Sequence, residues 1–135
     1  MGYKIADIEG VGTTYAEKLG TMSIATTEDL LKHTATPGGR QQLSQRTGIS
    51  EALILKWSNH ADMMRISGVG PQFAELLEAS GVDTVKELRN RNPQNLAQRM
   101  KEVNEAKGLA KASPADSTVQ KWVEQARHLP TVMIF

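Results

Sequence analysis

A chain of 135 residues with 39% apolar and 23% charged side chains fits one globular domain or two small ones. It contains no cysteine, which excludes disulfide frameworks and thiolate metal sites. The formal net charge is +1, no run approaches the roughly 18 apolar residues of a membrane span, and no signal-like segment opens the chain, so a cytoplasmic protein without membrane contact is expected.

In chain order, Ile5 and Ile8 stand at i, i+3 spacing and predict a short helix over residues 3–9. Gly10-Val11-Gly12 follows as a tight turn. Its glycines tolerate positive φ, and Val11 is free to plug the core. Thr13 or Thr14 is placed to cap a helix running to about Met22, with Tyr15, Ala16 and Leu19 inward. Thr26 with Asp29 three residues later reads as an N-cap with first-turn acidity, opening a helix that stops before Thr36-Pro37. Pro37 suits the first position of the next helix, over 37–46. Gly48-Ile49-Ser50 is a reduced turn: a left-handed C-cap, an apolar plug and an N-cap. The helix over 51–65 carries the stripe Leu53, Ile54, Trp57, Ala61 and Met64. It runs straight into Gly68-Val69-Gly70, with no flexible linker between the halves.

The second half repeats the plan. Pro71 begins a helix to Ala79, Asp83 or Thr84 caps one ending near Arg91, and Asn92-Pro93 opens one to about Lys107. Ser113-Pro114 is expected to cap the last helix, whose stripe is Val119, Trp122, Val123 and Ala126. Pro130 ends it, leaving an apolar tail of Val132, Met133, Ile134 and Phe135. There is no convincing strand pair, so the fold class is all-α.

The two glycine turns belong to a duplicated unit. Ile8-Glu9-Gly10-Val11-Gly12 answers Ile66-Ser67-Gly68-Val69-Gly70 at a constant offset of 58 residues, and nine of the 24 positions from Ile8 to Leu31 are identical to their counterparts. Trp122 answers Trp57, seven residues later in its repeat. The division expected from this is a first unit over 1–64 and a second, diverged unit over 65–135.

A helix that starts directly after a glycine turn points its unpaired N–H groups outward, the arrangement that receives anions. The charge to match is modest. Residues 1–64 carry 6 Lys/Arg against 7 Asp/Glu, and residues 65–135 carry 10 against 8. Seven basic residues against three acidic ones fall between Lys86 and Lys111, among them Arg89, Arg91, Arg99 and Lys101. His33, His60 and His128 lack metal-ligand spacing, Trp57 and Trp122 sit in core stripes, and Glu28-Asp29 reads as first-turn acidity. No catalytic constellation stands out, so an enzyme is not expected and no metal is assigned.

The run Ile8-Glu9-Gly10-Val11-Gly12, Ala16, Leu19, Thr26, Asp29-Leu30 and Thr47-Gly48-Ile49-Ser50-Glu51 resembles the paired helix-hairpin-helix domain at the N-terminus of strand-exchange recombinases. The tandem arrangement also looks like an uncharacterised bacterial family of unknown function. The resemblance implies tandem paired helix-hairpin-helix bundles of about ten short helices, each unit supplying one glycine hairpin. It implies sequence-independent binding of the DNA backbone, with a monovalent cation possible at a hairpin. The residues carried over are Gly10, Val11, Gly12, Thr13 and Lys18 in one unit, and Gly68, Val69 and Gly70 in the other, with Arg89, Arg91, Arg99 and Lys101 adding charge. The same fold also serves as a dimerisation scaffold, and the tail Val132–Phe135 is the surface that reading would use.

Overall fold

The computed structural model describes residues 3–135. Among them are eight α-helices, preceded by a single 3-10 turn at Ile5–Asp7. They are α1 (Gly12–Gly20), α2 (Thr27–Thr34), α3 (Pro37–Thr47), α4 (Glu51–Met63), α5 (Pro71–Ala79), α6 (Val85–Leu88), α7 (Pro93–Lys107) and α8 (Asp116–His128). Extended pairing among the described residues is confined to one antiparallel bridge between Lys4 and Thr26. The all-α reading holds, but the count falls short of about ten. Residues 3–9 make only the 3-10 turn, and α6 shrinks to one turn before Arg89.

Most helix starts obey the local chemistry of the sequence. Thr26, Thr36, Ser50, Thr84 and Asn92 each accept a first-turn N–H through the side chain. Gly48 ends α3 in the left-handed conformation, Ile49 is buried, and Ser50 opens α4. Two expected caps fail. The N-cap of α1 is Val11, with no side-chain bond, because the helix begins at Gly12 and places Thr13 and Thr14 inside its first turn. The N-cap of α8 is Ala115 rather than Ser113. Ser113 instead accepts from the Asn104 side chain, which also pairs with both the N–H and the carbonyl of Ala110. That double pairing folds residues 108–115 into a stapled loop.

Helix ends differ from expectation by two residues in places. α1 stops at Gly20, where Ser23 takes φ +62° and Ile24 N–H donates back to the Leu19 carbonyl at 3.1 Å. The second unit closes α5 identically: Gly81 has φ +95°, and Val82 N–H donates to the Leu77 carbonyl at 2.9 Å. α4 ends at Met63, since Arg65 and Ile66 turn back onto Asp62 and Met63.

Buried side chains from both halves form one contiguous hydrophobic core, from Ile5 to Met133. Tyr15 stacks edge-on against Trp57 at 5.0 Å, and Phe73 meets Trp122 at 5.2 Å, so each indole packs under its own unit's first helix. The halves are joined through Asp62, which is 2% exposed. Its carboxylate accepts Val85 N–H at 2.8 Å, at the start of α6, and pairs with Arg65 at 2.7 Å. Arg65 in turn donates to the Pro130 carbonyl.

The tail folds back on the first half. Met133 is buried, Ile134 N–H donates to the Ala35 carbonyl at 2.8 Å, and Arg40 donates to the Ile134 carbonyl at 2.9 Å. Arg40 also holds the Thr34 carbonyl at the end of α2, and its guanidinium lies over the Phe135 ring. Ile134 and Phe135 keep 57% and 68% of their surface in water.

Candidate nucleic-acid interface

Each glycine turn is built on the same internal bond. Val11 N–H donates to the Ile8 carbonyl and Val69 N–H to the Ile66 carbonyl, both at 3.1 Å. Gly10 and Gly68 adopt φ +88° and +93°, a region closed to most side chains. The valines are buried plugs, while Gly10, Gly12 and Gly68 stay exposed.

The turns differ at their second glycine. Gly12 has φ +63° and nothing near the position a Cβ would take. Gly70 is extended, at φ −97° and ψ −168°, because the ring of Pro71 disfavours helical geometry in the residue before it. Pro71 also lacks the N–H that Thr13 presents in the first unit. Tyr3 stands over Gly70, its hydroxyl 3.4 Å from where a Cβ would be.

α1 and α5, the helices leaving the two turns, have no side-chain N-cap, whereas α2, α3, α4, α6 and α7 do. Their first-turn amides therefore lack the internal acceptor that those five helices provide. The two turns also adjoin: Asp7 and Glu9, just before the first, line a groove of about 460 Å³ with Gly68, Gly70, Pro71, Gln72 and Phe73 of the second. Sequence reasoning did not place these carboxylates beside the second turn, and no local pattern signals it. Ser67 N–H is already engaged, donating to Gln125 Oε1 at 2.8 Å.

The basic residues are dispersed. Lys18 is exposed on α1, its ammonium 5.9 Å from the Tyr15 ring centre. Arg99 and Lys101 are exposed on α7, and Arg89 is half-buried at the end of α6. Arg91 is committed to the fold, donating to the Gly81 carbonyl at 2.7 Å and pairing with Glu87 at 3.3 Å. Among the described residues no group of three His, Asp or Glu side chains is arranged to hold a metal ion. No described helix is long and apolar enough to cross a membrane.

No curated protein and no solved structure matches this chain. A family model does, and it runs from Glu9, at the edge of the first glycine turn, through both turns and all eight helices to Leu129 at the end of α8. With residues 9–129 matched, the chain belongs to the family described as Domain of unknown function (DUF4332).

Proposed function

We propose that this protein is a non-catalytic, sequence-independent binder of the nucleic-acid backbone, built as tandem helix-hairpin-helix units. The observation that carries the reading is the pair of uncapped helix starts, α1 and α5, each following an exposed glycine turn with a buried valine plug. Backbone amides at such starts hold phosphates and position a duplex without reading its bases. The first turn is the better donor. It offers Gly12, Thr13 and Thr14 amides with Lys18 on the same helix, whereas the second has Pro71, an engaged Ser67 and the carboxylates of Asp7 and Glu9 nearby. Arg99 and Lys101 add charge from α7, and affinity is expected in the micromolar range.

The deciding experiment is fluorescence anisotropy with labelled duplex, single-stranded and branched DNA over a salt series. Neutralising about two to four phosphates gives log K a slope of roughly −2 to −4 against log salt. Absence of binding at low salt, where electrostatics are strongest, sinks the reading.

A second reading, an interaction scaffold, rests on Ile134 and Phe135, which are large apolar side chains left exposed side by side. Light scattering on the chain with and without residues 131–135 separates the two. A dimer that depends on the tail supports the scaffold.

A further inference from the structure

The second glycine turn makes a corner between α4 and α5, and two ionisable side chains meet inside that corner. His60 of α4 has a side chain only 1% exposed, and its Nε2 lies 3.2 Å from Glu78 Oε2 of α5. The other carboxylate oxygen of Glu78 is 3.9 Å from Lys56 Nζ, one turn earlier on α4. Close as it is to Glu78, neither ring nitrogen of His60 makes an aligned hydrogen bond, and the neighbouring Asn59 Oδ1 is likewise buried without one. Buried polar atoms left so are rare and require a reason.

The surrounding charge supplies one. Lys56 acts from α4, Glu78 from α5, Asp83 from the turn before α6, and Glu87 from α6 itself. Three of these four groups are carboxyls. Burial pushes the Glu78 carboxyl up, but His60 and then Lys56 outweigh it and hold the group below its ordinary range. A neutral imidazole here gains little from its neighbours. A protonated one brings two donors and a positive charge to a carboxylate in poorly solvated surroundings, where the attraction is least screened.

We propose that His60 and Glu78 form a proton-dependent latch across the α4–α5 corner, closed when the imidazole is charged, which holds the second glycine turn in place. Loss of the proton leaves Glu78 with Lys56 alone at the rim and leaves a buried imidazole without an aligned partner. The corner then loosens at its apex, residues 66–70, since α4 ends at Met63 and α5 begins at Pro71. The first turn has no such latch on its own corner: the residue of α8 that answers His60 is Gln125, and its side chain bonds the Ser67 amide instead.

The repeat provides an internal control for the test. Val69 N–H and Val11 N–H make equivalent bonds in the two turns, so their hydrogen exchange can be compared in one molecule. Exchange would be followed by NMR on the full chain at about pH 5 and about pH 8, the range in which histidine changes charge, with rates corrected for intrinsic chemistry. The His60 ring nitrogens would be observed in the same samples. The latch predicts a charged His60 ring at the lower pH and a neutral one at the higher. Protection at Val69 should fall by about ten-fold relative to Val11, the effect of one unit of differential proton binding. Glu78→Gln should abolish that difference. A His60 ring that stays neutral throughout, equal loss at Val11 and Val69, or unchanged behaviour in Glu78→Gln overturns the proposal. If the variant folds poorly, the wild-type comparison of the two amides still decides.

Discussion

Trp122 closes the back of the second glycine turn: its indole Nε1 stands 3.1 Å from the place a Cβ on Gly68 would occupy. Trp57 holds the same place behind Gly10, but at 3.9 Å. The two turns share a backbone and a backing aromatic ring, yet the second has less room. Gly68→Ala therefore meets both the left-handed strain and a tight ring contact. A loss of about 2 kcal/mol or more is expected, against about 1 to 2 for Gly10→Ala. Urea unfolding of the two variants measures the difference, and equal losses would show that the ring contact is immaterial.

Ser23 occupies the left-handed position that Gly81 fills in the second unit, and it is the one non-glycine described residue with positive φ. The turn it closes is otherwise the same, so the side chain gains nothing visible for the strain it carries. Ser23→Gly should stabilise the protein by about 0.5 kcal/mol, the balance of relieved strain against glycine's extra freedom when unfolded. Gly81→Ser should be destabilising, with the nearby Arg91 guanidinium adding to the cost.

Arg40 ties the end of α2, the start of α3 and the tail together through carbonyls alone, at Thr34, Ala35 and Ile134. Replacing it with Ala should cost about 2 to 4 kcal/mol, because charge-assisted bonds are lost and carbonyls are left without their donor. Deletion of residues 131–135 should be milder, since water reaches the released guanidinium. Thermal melts of both forms give the order, and a deletion more damaging than Arg40→Ala would reverse this account.

Asp83 is the carboxyl whose titration opposes folding. Burial raises it first, followed by repulsion from Glu87 and Glu78, with His60 pulling weakly the other way. A carboxyl raised in the folded state keeps its proton over a wider range there than in the unfolded chain. Stability therefore falls as pH rises from the unfolded value through the folded one, and stays lower above it. Asp83→Asn should flatten that fall and raise stability at neutral pH. Asp29 behaves in the opposite sense, held down by the Ala25 and Thr26 amides and the Thr26 hydroxyl. Its contribution is present at neutral pH and lost in acid as the folded carboxyl protonates, so Asp29→Ala should weaken the protein at neutral pH and flatten the acid limb. Denaturant midpoints between about pH 3 and pH 8 test both signs.

Thr14 and Gln72 are equivalent, exposed positions in the first turns of α1 and α5. Glutamate at either site favours the helix dipole, so both variants should fold. On the proposed function, Thr14→Glu should weaken duplex binding by about ten-fold, and Gln72→Glu by less. Anisotropy with one duplex at one salt concentration compares them. Equal and small effects would mean that neither helix start carries a phosphate.

Much of this architecture is legible in the sequence because it is made of short-range bonds. The caps at Thr26, Thr36, Ser50 and Asn92 and the left-handed stop at Gly48 all join residues within a few positions of each other. The core positions of Trp57 and Trp122 follow from helical period, and the fixed offset carries the first turn's geometry to the second. The start of α1 escaped for a local reason: positive φ at Gly12 lets the helix begin before the threonines, and residue type alone does not choose between the two starts.

The rest was decided in three dimensions. Ser113 left its capping role because Asn104 reached it across the loop, and Arg40 found the Ile134 carbonyl 94 residues away. Asp7 and Glu9 came to flank Gly68 and Gly70, and His60 came to face Glu78, only because α4 delivers the second turn back against the first segment of the chain. Helix propensity, capping and apolar period are properties of neighbours along the backbone, so the sequence alone determines the helices and the repeat. The charge environment of each turn is set by side chains distant in sequence, and packing alone decides which of them meet.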